Sequence, residues 1–383
     1  MTTVTEHKTG FFDRLYTGEG GIDFIGRTKQ WYIITAVLVL ISIGAIAVRG
    51  FDMSIDFEGG TKLNMPAAEL TVSDVEKTFT DATGVTPELT QVVGSGDTAT
   101  LEINSQRLSD DQIQDARRAI FEKFQPKDAT GKPSPDAVGD STVSESWGST
   151  ITNRMLISMV VFLAAAFAYI AVRLQRQMAA AAMIALLIDA VLIAGIYALF
   201  GFEVSPAAII GLLTVLSFSV YDTVIVFDKV RENTEGIFGS RKQTYAEAAN
   251  SAVNETVMRS ISTSVISALP IVALMVVAVW MLGVGDLKDL ALIQLIGVVE
   301  GVFSSIFLAT PVLVSLENRR QDVQRHNEEV ARYRAGEDES AEPSVAAARG
   351  RRVVGDLHTA DYADDPAEAS GQSRPGASWR PGL

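Results

Sequence analysis

The chain has 383 residues, 48% hydrophobic and 20% charged, with a formal net charge of −14. At a mean hydropathy of +0.22 it is too apolar for most soluble proteins and too polar for a chain wholly in lipid, so membrane spans are expected together with soluble segments. The negative balance argues against a nucleic-acid surface, the absence of cysteine excludes thiolate chemistry, and three histidines near the chain ends (His7, His326, His358) leave little for a metal or cofactor site.

Residues 1–30 are a polar segment, and the first apolar run, 31–48, is too long for a signal-peptide core. It reads as a first transmembrane helix. Residues 49–154 carry patterns in the order β-α-β-β-α-β. A strand with a Gly-Gly break is expected over 52–64 (DMSIDFEGGTKLN), and a helix over 71–82, where Val72, Val75 and Phe79 recur at three and four. Two short strands over 88–104 turn at Gly94-Ser95-Gly96. A helix over 109–124 is capped by Ser109-Asp110-Asp111 and aligns Ile113, Ala116, Ile120 and Phe124. A Pro-, Gly- and Asp-rich loop fills 125–140, and a last strand is expected near 141–147. The order predicts a small α+β domain of ferredoxin-like type.

Five more apolar runs follow, at 155–172, 179–200, 206–227, 261–282 and 291–313. A bilayer core of ~30 Å takes about 20 helical residues at ~1.5 Å each, and an isolated strand would leave backbone groups unpaired in lipid. The third and fourth runs meet in a tight hairpin holding Glu203 and Pro206. Residues 228–260 read as a loop. Residues 317–335 are charged and extend a helix. From about 336 the composition predicts a disordered tail without specific function.

Loop charges set the orientation. The 173–178 loop carries Arg173 and Arg176, and the 228–260 loop carries Lys229, Arg231, Arg241, Lys242 and Arg259; the 201–205 loop has no Lys or Arg, and 283–290 has only Lys288. The positive-inside rule places the first two loops and both termini in the cytoplasm and exports residues 49–154.

Four ionisable residues fall in or beside the spans. A central charge costs at least ~2.5–3.5 kcal/mol, so such residues usually face a bundle interior and mark a proton or ion path. Asp222 stands out: it is six residues from Asp228, hence roughly 9 Å deep, with Ser219 one turn earlier on the same face. Arg259, at the start of the fifth span, is on position alone a snorkelling arginine. Its helix continues with Ser260, Ser262, Thr263, Ser264 and Ser267, however, which suits a polar seam between helices. Spans four and five run antiparallel, so Asp222 and Arg259 are able to meet. A partner charge and desolvation would then pull the carboxyl in opposite directions. Asp189, in the third span, and Glu300, in the sixth beside a small-residue stripe (Gly297, Gly301, Ser304, Ser305), each admit two readings: a proton path or a helix-packing hydrogen bond.

The segments SIDFEGGT (54–61), YDTVIVFDKVREN (221–233), NETVMRSISTS (254–264) and GVFSSIFLATP (301–311) occur in order, and with them the chain resembles the SecF branch of the bacterial SecD/SecF family, half-length members of the resistance–nodulation–division (RND) superfamily. The resemblance covers about 11–320. It implies an α-helical membrane protein: a six-helix half-bundle of RND type with one exported domain between helices one and two, in the bacterial cytoplasmic membrane. It further implies a SecD-like subunit as the other half, association with the SecYEG channel, and use of the proton gradient to help move preproteins outward. On this resemblance the proton-coupling Asp falls on Asp222 and the Arg of the next helix on Arg259; Asp189 and Glu300 are secondary candidates by their position in the spans. Tyr221 stands where the family often has Asn, and Glu300 where it often has a small residue. Two other readings stand beside this one: a half-size proton-coupled transporter of a lipid or small molecule, and a scaffold without proton transfer. No hydrolase or oxidoreductase motif is present.

Overall fold

The structure, a computed structural model, describes residues 22–67, 70–128, 130–281 and 283–336; the expected tail lies outside them. Among the described residues, six helices are long and apolar enough to cross a membrane. They are α1 (Thr28–Arg49), α4 (Glu145–Arg173), α5 (Arg176–Phe200), α6 (Pro206–Thr234), α7 (Tyr245–Leu274, continued by a π-helical segment to Met281) and α8 (Gly285–Ser304, continued through a π-helical segment, Ser305–Ala309, and α9, Thr310–Glu317). Between α1 and α4 lie β1 (Asp52–Met53), β2 (Gly60–Pro66), α2 (Val72–Thr83), β3 (Leu89–Val93), β4 (Thr100–Ser105), α3 (Asp110–Phe124) and β5 (Gly139–Val143). A two-residue β6 (Glu203–Val204) follows α5, and α10 (Gln321–Arg334) closes the described chain.

The four longer strands form an antiparallel sheet in the order β3-β4-β2-β5. Strand side chains alternate between faces. Leu63 and Met65 of β2 and Leu101 and Ile103 of β4 therefore share a face with Val75 and Phe79 of α2 and Ile113, Ala116 and Ile120 of α3, a separate apolar core. The other face of the same strands carries Lys62, Glu102 and Asn104, turned toward the spans. Phe79 is fully buried, and Phe79→Ala is expected to cost about 3–5 kcal/mol. Hydrogen exchange of the β2 and β4 amides in the full chain should show it as faster exchange confined to this domain.

Local detail differs from the sequence reading at four places. The 52–64 segment is not one strand: one helical turn, Ile55–Glu58, separates β1 from β2. The chain leaves that turn through Gly59 (φ 83°) and Gly60 (φ 149°). A Cβ at Gly60 would sit 2.6 Å from the Ser105 carbonyl oxygen, so close approach as well as dihedral angle requires glycine here. The last strand ends at Val143, because the Ser144 hydroxyl accepts from the Trp147 N–H and starts α4. The 228–260 segment is mostly helix. α6 runs on to Thr234, and a capping box of Thr244 and Glu247 starts α7 well before the apolar stretch. The charged 317–335 stretch is a separate helix, α10, docked through Val323, His326 and Val330. Its His326 Nε2 lies 3.0 Å from the Gln243 carbonyl oxygen.

Within the bundle α5, α6 and α8 are the inner helices. About half of each apolar window is buried (50%, 44% and 50%), against 11%, 6% and 12% for α1, α4 and α7. Small residues set the close approaches. A Cβ at Gly297 or Gly211 would run into Val215 or Ile293 across the α6–α8 contact, and one at Gly195 into Ser42 of α1.

Candidate functional site

Helices α5, α6 and α8 enclose a polar cluster at mid-span. Asp189 of α5 is fully buried. It accepts hydrogen bonds from the hydroxyls of Ser219 on α6 and Ser304 on α8. Glu300 reaches the same carboxyl from one turn earlier on α8. Taken as an ionised acceptor, Glu300 has no donor for either oxygen among the described residues. Glu300 therefore stands beside a second acid without a donor of its own, and neighbouring carboxyls in a medium of low dielectric repel unless a proton lies between them.

Asp222 faces the other side of α8. The Ser305 hydroxyl donates to its Oδ2 at 2.6 Å. Ser304 and Ser305 are consecutive, yet each addresses a different carboxylate. They stand where α8 passes into its π-helical turn, just before Pro311. Proline has no N–H to offer the preceding turn, and a π-turn absorbs the mismatch; Thr310 Oγ1 donates to the Ser305 carbonyl at 3.2 Å, five residues back. Ser219, Asp222, Thr263, Ser264 and Ser267 line a cavity of about 30 Å³ between α6, α7 and α8. That is room for one or two waters, and the lining supplies the polar partners a water needs.

Arg259 is not brought to Asp222. Its side chain is exposed and lines a separate pocket of about 770 Å³, with Lys229, Glu232, Glu317 and Arg320, at the end of the bundle away from the sheet. The reason is helical rise. Thr263, which lines the Asp222 cavity, lies one turn, ~6 Å, further along α7 and donates to the Arg259 carbonyl at 2.9 Å. The seam expected on α7 thus divides: Thr263, Ser264 and Ser267 face the carboxylate, and Arg259 faces the solvent pocket. The same end is tied by Arg173–Asp228 at 2.7 Å and Lys229–Glu255 at 3.1 Å.

Asp189 and Glu300 therefore fall together, Asp222 lies next to them across Ser219, which bonds Asp189 and lines the Asp222 cavity, and Arg259 falls outside the group. The sequence reading took Ser304 and Ser305 only as small residues for packing. Two adjacent hydroxyls opposite acidic residues on neighbouring spans were the available signal. Among the described residues no group of three or more His, Asp or Glu is placed to hold a metal ion.

A family model described as "Protein export membrane protein SecD/SecF, C-terminal" matches residues 125–319. The chain is 46% identical to a Mycobacterium tuberculosis protein named Protein translocase subunit SecF, over 99% of this chain and 88% of that one. It is 34% identical to a Streptomyces coelicolor protein of the same name, over 93% and 91%. Among solved structures it resembles SecDF from Thermus thermophilus, a translocon-associated membrane protein, with a TM-score of 0.65 and 27% identity over 78% of this chain and 39% of that one. The chain spans about two-fifths of the length of that SecDF protein.

Proposed function

Because the chain belongs to the SecD/SecF family of protein export membrane proteins, we propose that it is the SecF-type half of a proton-driven protein translocase of the bacterial cytoplasmic membrane. The observation that carries the proton-coupled part is the mid-span cluster: two carboxyls held by serine hydroxyls inside an apolar half-bundle, Asp189 with Glu300 beside it and Asp222 against a water-sized cavity. Buried carboxyls without a cation beside them are a costly way to pack helices and an effective way to carry protons. Asp222 is the carrier in this reading, Asp189 and Glu300 form a second proton-holding pair, and Arg259 stands on the cytoplasmic side at the mouth of the pocket below.

A SecD-type subunit completes the machine. The SecDF protein of Thermus thermophilus carries about twice this length in one chain, and α1, α4 and α7 present largely unburied apolar faces. Loop charges support both termini in the cytoplasm and the sheet domain outside. The order β-α-β-β-α-β with sheet order β3-β4-β2-β5 supports a ferredoxin-like reading of that domain. Placed there, beside a SecYEG-type channel, the domain is the part that works on an emerging preprotein, and no hydrolytic step by this chain is required. A half-size transporter of lipid or small molecules is not favoured, given the relatives named as translocase subunits. Affinity purification from native membranes tests the partnership. A SecD-type protein should co-purify in stoichiometric amount, and its consistent absence would sink the two-subunit reading.

A further inference from the structure

The underside of the sheet domain meets the spans at a buried carboxyl that the mid-span chemistry does not use. Glu203, in the α5–α6 hairpin, is 9% exposed. Its Oε1 accepts from Asn104 Nδ2 at 3.0 Å and its Oε2 from Gln91 Nε2 at 3.4 Å, both from the sheet. Gln91 Nε2 also donates to Glu102 at 3.2 Å, so two carboxyls share one amide. Lys288 Nζ, at the start of α8, holds the other end of that amide through Gln91 Oε1 at 2.5 Å, which fixes the NH2 toward the carboxyls.

The remaining charges around Glu203 come from every element packed there. Lys62 and Glu102 face it from the sheet, and Asp289 and Lys288 from α8. Asp286 lies 3.8 Å from Lys62, which Asp56 also faces. Asp52, whose backbone pairs with that of Glu203, is exposed. Carboxyls in the cluster thus outnumber its two lysines. With every carboxyl ionised the interface carries net negative charge in a desolvated gap, and one proton relieves part of it.

The geometry points to Glu203 as a proton-operated latch: protonated, it holds the sheet domain against the α5–α6 hairpin, and ionised, it loosens that contact. Burial pushes the Glu203 carboxyl up to about 7; Lys62 opposes this, Asp289 and Glu102 add to it, and Lys288 again opposes it. The sign follows from linkage. A carboxyl whose pKa is raised in the docked state binds its proton there first. Docking is therefore fully favoured below the ordinary glutamate range and is lost progressively as pH rises to about 7. On the outer face, as the proposed function has it, an acidic exterior clamps the domain down and loss of the proton frees it. The latch rests on that reading for its purpose, not for its measurement.

Two backbone hydrogen bonds outside the cluster report docking: Ser54 N–H to the Val204 carbonyl at 2.9 Å, and Ser95 N–H to the Trp280 carbonyl at 3.2 Å. Hydrogen exchange on the full chain in lipid nanodiscs, corrected for intrinsic exchange, should show protection of peptides holding Ser54 and Ser95 falling roughly twentyfold from about pH 5.5 to 7.5, while β2 and β4 stay protected. Glu203→Gln should lose most of that fall, keeping only the smaller part that the neighbouring buried Asp289 supplies. Flat protection in the wild type overturns the latch, as does a fall in Glu203→Gln as large as in the wild type. Should that variant not fold, Glu203→Asp, which draws the carboxyl back from Asn104, must shrink the response; an unchanged response also overturns the assignment. Export is not measured, so a failed latch leaves the translocase reading standing, and a failed export assay leaves the latch standing.

Discussion

Replacing Asp222 by Asn is expected to reduce gradient-driven export, in vesicles containing the full translocase, to the rate seen without a proton gradient. The argument rests on what Asn keeps and what it loses. It keeps the shape and an oxygen to accept from Ser305 Oγ, now 2.6 Å from Oδ2, so helix packing changes little. It loses the ability to carry charge, which is the one property that justifies a carboxylate where a central charge costs at least ~2.5–3.5 kcal/mol. Membrane insertion and protein amount should therefore match wild type while the gradient-dependent component disappears. Ser305→Ala should act through the same carboxyl more weakly. It removes one hydrogen bond to a charged group, worth about 1.5–3 kcal/mol, but leaves the titrating group in place. Gradient stimulation that survives intact in Asp222→Asn at normal protein levels means that Asp222 is not the carrier.

What was legible in the sequence was what lipid makes obligatory. Apolar runs of membrane length must be helices, and an acid inside one is conspicuous for its cost, so Asp189, Asp222 and Glu300 could be picked out from the sequence alone. The amphipathic spacings of Val75 and Phe79, and of Ile113, Ala116 and Ile120, marked the core of the sheet domain for the same reason: burial is periodic. The grouping of the acids was not legible. It depends on rotational phase between helices, which no single run encodes. Rise along α7 places Thr263 at the Asp222 cavity and Arg259, one turn away on the same face, at a different pocket. Phase combined with a π-turn sends Ser304 to Asp189 and its neighbour Ser305 to Asp222. Glu203 was visible only as a hairpin residue, because its partners Gln91 and Asn104 lie about a hundred residues earlier in a sheet whose register the hairpin cannot specify.

Asp189 allows the structural and proton-carrying meanings of a buried acid to be separated. Asp189→Ala removes the acceptor for two buried hydroxyls, Ser219 and Ser304, and the neighbour of Glu300. Each buried polar group left without a partner costs about 1–3 kcal/mol, so the variant should be destabilised by roughly 2–6 kcal/mol and melt well below wild type in detergent. Asp189→Asn supplies an oxygen for one hydroxyl and an amide for Glu300, and should recover most of that loss. If the Asp189–Glu300 pair only joins helices, Asp189→Asn should then export at the wild-type rate under a gradient. If the pair holds a proton in transit, the variant should be stable and still fall several-fold in gradient-driven export, with gradient-independent export unchanged. The second outcome is expected, because a packing contact between α5 and α8 has no need of two acids: a single acid with the Ser219 and Ser304 donors already satisfies it, and Glu300 adds only repulsion unless a proton is there to be shared.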